Sequence, residues 1–261
     1  MISSTKNEQV KTVIELKKKA KARNEAKLFV VEGVRMVSEL PKERTEKLYV
    51  SESFLKNPEN EKFLKEYPGY EAVTDSVFAA MSDTQTPQGV LALICQYEYG
   101  IDDILKAEGK AHLIILENLQ DPGNLGTILR AGEGAGITGL IMSRDTVDIY
   151  NPKVIRSTMG SVFRVPFFYT DDIFKTAQEL KDRGIRLFAA HLGGKNNYEQ
   201  EDYTGDVGFL IGNEGNGLTD ELSDMADTWV KIPMAGKVES LNAAIAASIL
   251  MFETARQRRA Q

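Results

Sequence analysis

The chain has 261 residues, with 32 Lys+Arg against 38 Asp+Glu, a net charge of −6, and 42% hydrophobic and 27% charged residues. Those proportions exclude wholesale disorder and a strongly basic, chromatin-type protein. Cys95 is the one cysteine and His112 and His191 are the two histidines, so a disulfide framework is excluded and no metal site is expected.

The opening MISSTKNEQV has no apolar run and does not read as a secretory signal. The longest apolar-looking run, Ala243 to Phe252, is alanine-rich and falls short of the roughly 20 residues that span a bilayer. No membrane association and a cytoplasmic location are expected. The charge is uneven: residues 1–27 carry eight basic and three acidic residues, 8 − 3 = +5, and the chain closes with Arg256, Arg258 and Arg259. Such local basic faces attract polyanions even when the total is negative.

Residues 7–23 read as a helix with Val10, Val13, Ile14 and Leu16 on one stripe. Leu28 to Val31 reads as a strand, Val34 to Leu40 as a helix stopped by Pro41, and Leu48 to Val50 as a strand. A helix from Phe54 to Tyr67, a strand at Ala72-Val73, a helix from Ser76 to Met81 and a strand from Val90 to Cys95 follow. This alternation predicts an α/β unit. Tyr97 to Gly109 is more polar, and the domain boundary is placed there.

The second half opens on His112 to Leu116, a continuous apolar run of the kind found in strands buried on both faces. Helices are expected at 125–135, 152–159, 173–183, 218–226 and 240–258, and strands at 140–142, 185–190, 207–211 and 229–232. This pattern predicts a doubly wound, mainly parallel sheet. The segment Gly134 to Gly139 fits G-x-G-x-x-G, but it follows a helix and precedes a strand, the reverse of a dinucleotide site, so it reads as a tight turn.

In parallel sheets ligands gather at the carboxyl ends of strands. Three loops expected there are rich in Gly, Pro, Asn and acid. The first is Glu117 to Gly126, and a helix starting near Gly123 would project Arg130 from its second turn. The second is Gly212 to Leu218, whose glycines allow close approach of the backbone to a ligand and flank Glu214. The third is Ile232 to Asn242, where Ser240 is a candidate cap for the last helix and Asn242 lies in its first turn. Small residues along that helix suit either a subunit contact or packing on the sheet.

Together, D-P-x-N-x-G-x-x-x-R within 118–131, G-x-E-G-x-G-L at 212–218 and I-P-M-x-G-x-x-x-S-L-N at 232–242 resemble the SpoU/TrmH branch of the SPOUT superfamily, the AdoMet-dependent RNA ribose 2′-O-methyltransferases. The resemblance covers 110–258. More weakly, Phe29 to Gly33 and Thr86 to Val90 resemble the small N-terminal substrate-binding domain of that branch. It implies an N-terminal α/β RNA-binding domain over 1–98, a linker over 99–109, and a methyltransferase domain over 110–261 whose α/β fold closes a deep trefoil knot.

It also implies a homodimer with the active site completed across the interface, and S-adenosyl-L-methionine (AdoMet) as cofactor. Gly212, Ile232, Met234 and Leu241 match the cofactor-binding positions, largely through main-chain groups. Asn124, Arg130, Glu214, Ser240 and Asn242 match the polar active-site positions. Arg130 is the family's candidate for accepting the ribose proton, yet a guanidinium with a pKa above about 12 is a poor base. Its expected role is therefore to stabilise the developing oxyanion and the adjacent phosphate, with Glu214 orienting it and Asn124 and Asn242 fixing positions. Ribosomal RNA is favoured over tRNA. The alternatives are a tRNA 2′-O-methyltransferase and a non-catalytic RNA-binding or ribosome-assembly protein on the same fold. The target nucleotide is not legible in the chain.

Overall fold

A computed structural model describes residues 1–106 and 109–260. Residues 107 and 108, at the end of the expected linker, lie outside the described residues. The chain divides into two compact units, Met1–Tyr97 with Tyr150–Phe163, and Glu98–Ile149 with Arg164–Gln261.

The first unit is built on β1 (Leu28–Glu32), β2 (Thr45–Ser51), β3 (Tyr70–Val73) and β4 (Val90–Cys95), in the order β1-β4-β2-β3. β4 runs antiparallel to both neighbours, and β2 pairs parallel with β3. The helix Glu8–Lys18 starts at Asn7, whose side chain accepts the Gln9 N–H at 2.9 Å. It lays Val10, Val13 and Leu16 on Val30, Tyr49, Leu91 and Leu93. Each such side chain contributes about 1.5–3 kcal/mol on burial.

The single helix expected over 7–23 is broken. Lys19 is extended (φ −121, ψ 117) and a second helix, Ala20–Ala26, begins there. The carbonyls freed by the break need donors. Arg23, only 3% exposed, turns back and gives Nη1 to Leu16 O at 2.6 Å and Lys17 O at 3.3 Å. Lys17 is also interior, with Nζ 2.5 Å from Met81 O. Two of the eight N-terminal basic residues are thus structural rather than a charged face. The helix expected over 54–67 is split as well, into Glu52–Lys56 and Glu61–Glu66 around the turn Pro58–Asn60. Asn57 precedes Pro58 and is held extended (φ −81, ψ 115), as a residue before proline is.

The segment Tyr150–Phe163 packs with this unit, although the chain reaches it only after two strands of the other. Its helix Pro152–Thr158 lies on β1, and the Tyr150 and Phe29 rings are 4.6 Å apart.

The second unit holds β5 (His112–Leu116), β6 (Gly139–Ser143), β7 (Phe167–Thr170), β8 (Arg186–Ala190), β9 (Asn196–Asn197), β10 (Val207–Ile211) and β11 (Thr228–Lys231). Their order is β7-β6-β5-β10-β8-β11-β9, with every adjacent pair parallel. The chain moves outward from β5 to β7, then returns on the other side of β5, where β10 lies between β5 and β8. The order in which strands are added reverses between β5 and β10, and a ligand crevice is expected at such a switch point.

The polar boundary stretch is not all loop: Ile101–Leu105 is a helix with Ile104 fully buried. Gly139 makes room for it, since a Cβ there would lie 2.3 Å from Ile104 Cγ2. The helices Pro122–Ala135 and Ala243–Arg259 pack on each other. The second turns Ala244, Ala247, Leu250 and Met251 inward and leaves Ile245 and Phe252 exposed. Near its end, Arg258 donates to Tyr203 O, Lys110 O, Ala111 O and Gly205 O at 2.6–3.2 Å. That guanidinium ties the C-terminus to the sheet and is not the free RNA contact expected for it. Among the described residues no helix is long and apolar enough to cross a membrane.

Candidate active site

Four loops leave the carboxyl ends of β5, β8, β10 and β11 and meet beside the switch point. The first begins at Glu117, which is only 4% exposed. Its carboxylate accepts the Thr219 N–H and the Thr219 hydroxyl, both at 2.8 Å. Thr219 caps the helix Asp220–Asp224 by accepting the Leu222 N–H. Asn118 follows with φ +53, a left-handed conformation that Asn tolerates better than most residues. Ser143 Oγ accepts its N–H and donates to its Oδ1, and its carbonyl accepts from Asn213 Nδ2 at 2.8 Å.

The helix of the first loop starts at Pro122, with Asp121 as cap. Asp121 Oδ1 accepts the Asn124 N–H at 2.8 Å, which fixes Asn124 in the first turn. The second loop doubles back on itself, with Asn213 and Gly217 exchanging backbone hydrogen bonds at 2.9 and 3.0 Å. Gly212 permits that fold, since a Cβ there would sit 2.1 Å from Gly217 C and Leu218 N.

Glu214 stands at the tip of this loop. It accepts the Gln120 N–H at 3.0 Å, the Asp121 N–H at 2.8 Å and Asn124 Nδ2 at 3.0 Å. Partial burial works against its charge, but the Asn124 amide and the two backbone N–H groups outweigh it and hold its pKa below the usual carboxylate value. Asn242 Nδ2 donates to Asn124 Oδ1 at 2.9 Å, while its Oδ1 accepts the N–H groups of Ala244 and Ile245. The last helix is therefore capped by Asn242, not by the expected Ser240. The reason is length: the helix begins at Ala243, and Ser240 is an exposed loop residue three positions earlier.

The loops after β8, β10 and β11, with the start of the last helix, enclose a cavity of about 350 Å³, within the size range of small-molecule sites. Gly212, Ile232, Met234 and Leu241 line it, as do Glu214 and Ser240. The sequence reading missed His191 and Leu192, which also line it from the end of β8. Their position after a parallel strand was the available signal. The His191 ring lies 4.3 Å from that of Trp229, and its Nδ1 accepts the Gly193 N–H at 3.0 Å.

The structure joins Asn124, Glu214 and Asn242 in one hydrogen-bonded chain. It does not bring Arg130 into that chain. Arg130 is exposed on the helix Pro122–Ala135, and among the described residues its guanidinium makes no hydrogen bond or ion pair. Glu214, which was expected to orient it, is committed to the first loop.

The SpoU rRNA Methylase family model matches residues 111–252, and the MRM3-like substrate binding domain model matches residues 7–92. A curated relative, the putative TrmH family tRNA/rRNA methyltransferase of Staphylococcus aureus strain MSSA476, is 37% identical over 176 residues, covering 66% of this chain and 71% of that protein. The AdoMet-bound rRNA methyltransferase of Sinorhizobium meliloti superposes with a TM-score of 0.84 at 30% identity, over 98% of this chain and 97% of that one. A crystal structure described as an RNA 2′-O ribose methyltransferase superposes with a TM-score of 0.81 at 27% identity, over 99% of each chain. Motif spacing, parallel-sheet architecture and the family model agree, and the chain belongs to the SpoU rRNA methylase family.

Proposed function

We propose that this protein transfers a methyl group from AdoMet to the 2′-hydroxyl of a ribose in structured RNA, with ribosomal RNA favoured over tRNA. The observation that carries the reading is the chain Glu214–Asn124–Asn242, which binds three loops together beside a cavity of ligand size. A cavity walled by glycine backbone and by Ile232, Met234 and Leu241 suits an adenine and a main-chain-bound tail. AdoMet, when bound, supplies a methyl group on a sulfonium, which needs neither a metal nor a covalent enzyme intermediate.

The protein's own part is placement and electrostatics. Glu214 is an ionised carboxylate that fixes the Gln120-Asp121 backbone and the Asn124 amide. Asn242 extends that order to the N-terminus of the last helix. Arg130, exposed and unpaired among the described residues, is available to a phosphate and to the oxygen that becomes anionic as its proton leaves. A second copy of the chain, docked on the exposed Ile245 and Phe252 of the helix Ala243–Arg259, would complete the site. The motif resemblance supports this dimer, and likewise a trefoil knot that threads the loops around the cavity.

The test is transfer of radiolabelled methyl from AdoMet to total ribosomal RNA and, separately, to tRNA, followed by mapping of 2′-O-methyl positions. Label in ribose of ribosomal RNA is the expected result. Label on a base, or in tRNA alone, would replace the proposal.

A further inference from the structure

His191 lines the cavity, yet methyl transfer as derived above gives it no task. It opens a tight turn. The His191 N–H donates to Val230 O and the Gly194 N–H donates to His191 O, both at 3.0 Å, so Leu192 and Gly193 stand at the tip. The imidazole closes the same turn a second time, with Nδ1 accepting the Gly193 N–H at 3.0 Å. An asparagine or aspartate does this in an Asx turn, where the side chain takes up the backbone two residues on. The ring sits close over the turn: a Cβ on Gly193 would lie 3.1 Å from Nδ1. Its other neighbour is Trp229, with ring centroids 4.3 Å apart, and Trp229 is itself held by Nε1 donating to Ser223 O at 2.6 Å.

The far side of the turn is fixed by contact with β11. Gly194 is buried, and a Cβ there would lie 2.9–3.0 Å from Val230 C, Lys231 N and Trp229 O. Between these two anchored ends Leu192 is 64% exposed and lines the cavity. One exposed leucine needs no explanation by itself. A leucine at the tip of a doubly closed turn, at the wall of a ligand-sized cavity, is placed in advance. A wall segment that is out of place for part of the time lowers the apparent affinity by the fraction of time it is in place.

We propose that His191 is a positioning residue for the methyl donor: its imidazole closes the turn and so holds Leu192 where AdoMet covers it. His191 acts through Leu192 and takes no proton from the RNA. The inference rests on the reading of this cavity as the AdoMet site, and adds what sets the donor's affinity there.

The experiment pairs calorimetric titration of AdoMet with steady-state methyl transfer to ribosomal RNA. It uses the full chain, His191→Phe, His191→Asn, Leu192→Ala and the double variant of His191→Phe with Leu192→Ala. Phenylalanine keeps a ring for Trp229 and loses the acceptor. Asparagine keeps an acceptor for the Gly193 N–H and loses the ring. His191→Phe is expected to weaken AdoMet binding and raise its KM roughly 3- to 10-fold, the scale of one hydrogen bond, with kcat at saturating AdoMet unchanged. His191→Asn should bind within about 2-fold of wild type, since the Asx turn replaces the lost contact. Leu192→Ala should also weaken binding, and the double variant should bind no more weakly than Leu192→Ala, because the turn then has nothing to hold. His191→Phe binding like wild type, His191→Asn binding as weakly as His191→Phe, or additive losses in the double variant would overturn the inference. So would a fall in kcat in both His191 variants, which would make the imidazole a proton acceptor in the reaction. Amide exchange at Gly193 should quicken in His191→Phe alone; quickening throughout the second unit would assign His191 to the fold and overturn its role at the cavity. Donor binding that follows the expected pattern without methyl transfer sinks the catalytic reading alone. Transfer with one donor affinity across all variants sinks the positioning role alone.

Discussion

Asn242 Nδ2 donates to Asn124 Oδ1 across 118 residues of sequence, and the same Asn242 side chain caps the helix Ala243–Arg259 with its oxygen. One side chain thus serves stability with one atom and the site with the other. The two roles separate by substitution. Asn242→Asp keeps an oxygen for the cap and loses the donor to Asn124. Its melting temperature should stay near wild type while methyl transfer falls roughly 10- to 100-fold, the scale of a displaced positioning group. Asn242→Ala should lose transfer and also about 1 kcal/mol of stability. Equal activity of Asn242→Asp and wild type would show that the amide pair positions nothing.

Glu117 and Thr219 set the relative height of the first two loops. Glu117 is interior, so Glu117→Gln keeps one oxygen for the Thr219 N–H but puts an NH₂ where the charged acceptor of the Thr219 hydroxyl proton stood. The loss is expected to be about 1–3 kcal/mol. Its local mark should be faster hydrogen exchange at Thr219 and Leu222, with exchange in the first unit unchanged. Uniformly faster exchange would mean that the contact supports the fold as a whole rather than the loop.

The sequence was most readable where burial is complete. His112–Leu116 and Val207–Ile211 coincide with the expected strands because a central parallel strand, covered on both faces, needs an unbroken apolar run. Phe167–Thr170 went unrecognised, being an edge strand of only four residues, two of them half-buried, directly after Pro166. The break at Lys19 was also hidden. A run of lysines contains no helix breaker, and the cause is Arg23 reaching back into the interior. In the site, the glycine- and asparagine-rich loops announced themselves by composition, and Asn124, Glu214 and Asn242 do meet. The Glu117–Thr219 contact spans 102 residues and leaves no local pattern to read. Charge clusters misled for a related reason. Lys17, Arg23 and Arg258 look like solvent-exposed cations in sequence but serve interior carbonyls.

His112 gives a pH dependence that does not involve the active site. It is 1% exposed and its Nε2 is without a hydrogen-bond partner among the described residues. Burial, reinforced by the nearby Arg258 charge and opposed by the Gly136 backbone, lowers its pKa from 6.5 to about 4. The folded chain therefore resists the proton that the unfolded chain accepts. The stability held by neutral His112 is complete above pH 6.5 and is lost as the pH falls toward about 4, with a slope of at most about 1.4 kcal/mol per pH unit from this one group. Urea titrations across that window should show a flatter curve for His112→Leu than for wild type. Parallel curves would assign the acid sensitivity to carboxylates instead.

Arg130 offers the sharpest separation of binding from chemistry. It does not line the cavity, and among the described residues it supports no hydrogen bond or ion pair. Arg130→Ala should therefore leave both the melting temperature and AdoMet affinity near wild type. If the guanidinium steadies the oxyanion and its phosphate, methyl transfer should fall about 10²- to 10³-fold, as it does on loss of an oxyanion donor. Arg130→Lys distinguishes this from a proton-accepting role. A lysine keeps the charge, loses the planar fork, and titrates near pH 10.4, roughly two units or more below arginine. As an oxyanion partner it should recover part of the rate with no new pH dependence between 6 and 9. A rate that climbs steadily with pH in Arg130→Lys, against a flat wild-type profile, would make residue 130 the base and overturn the electrostatic role.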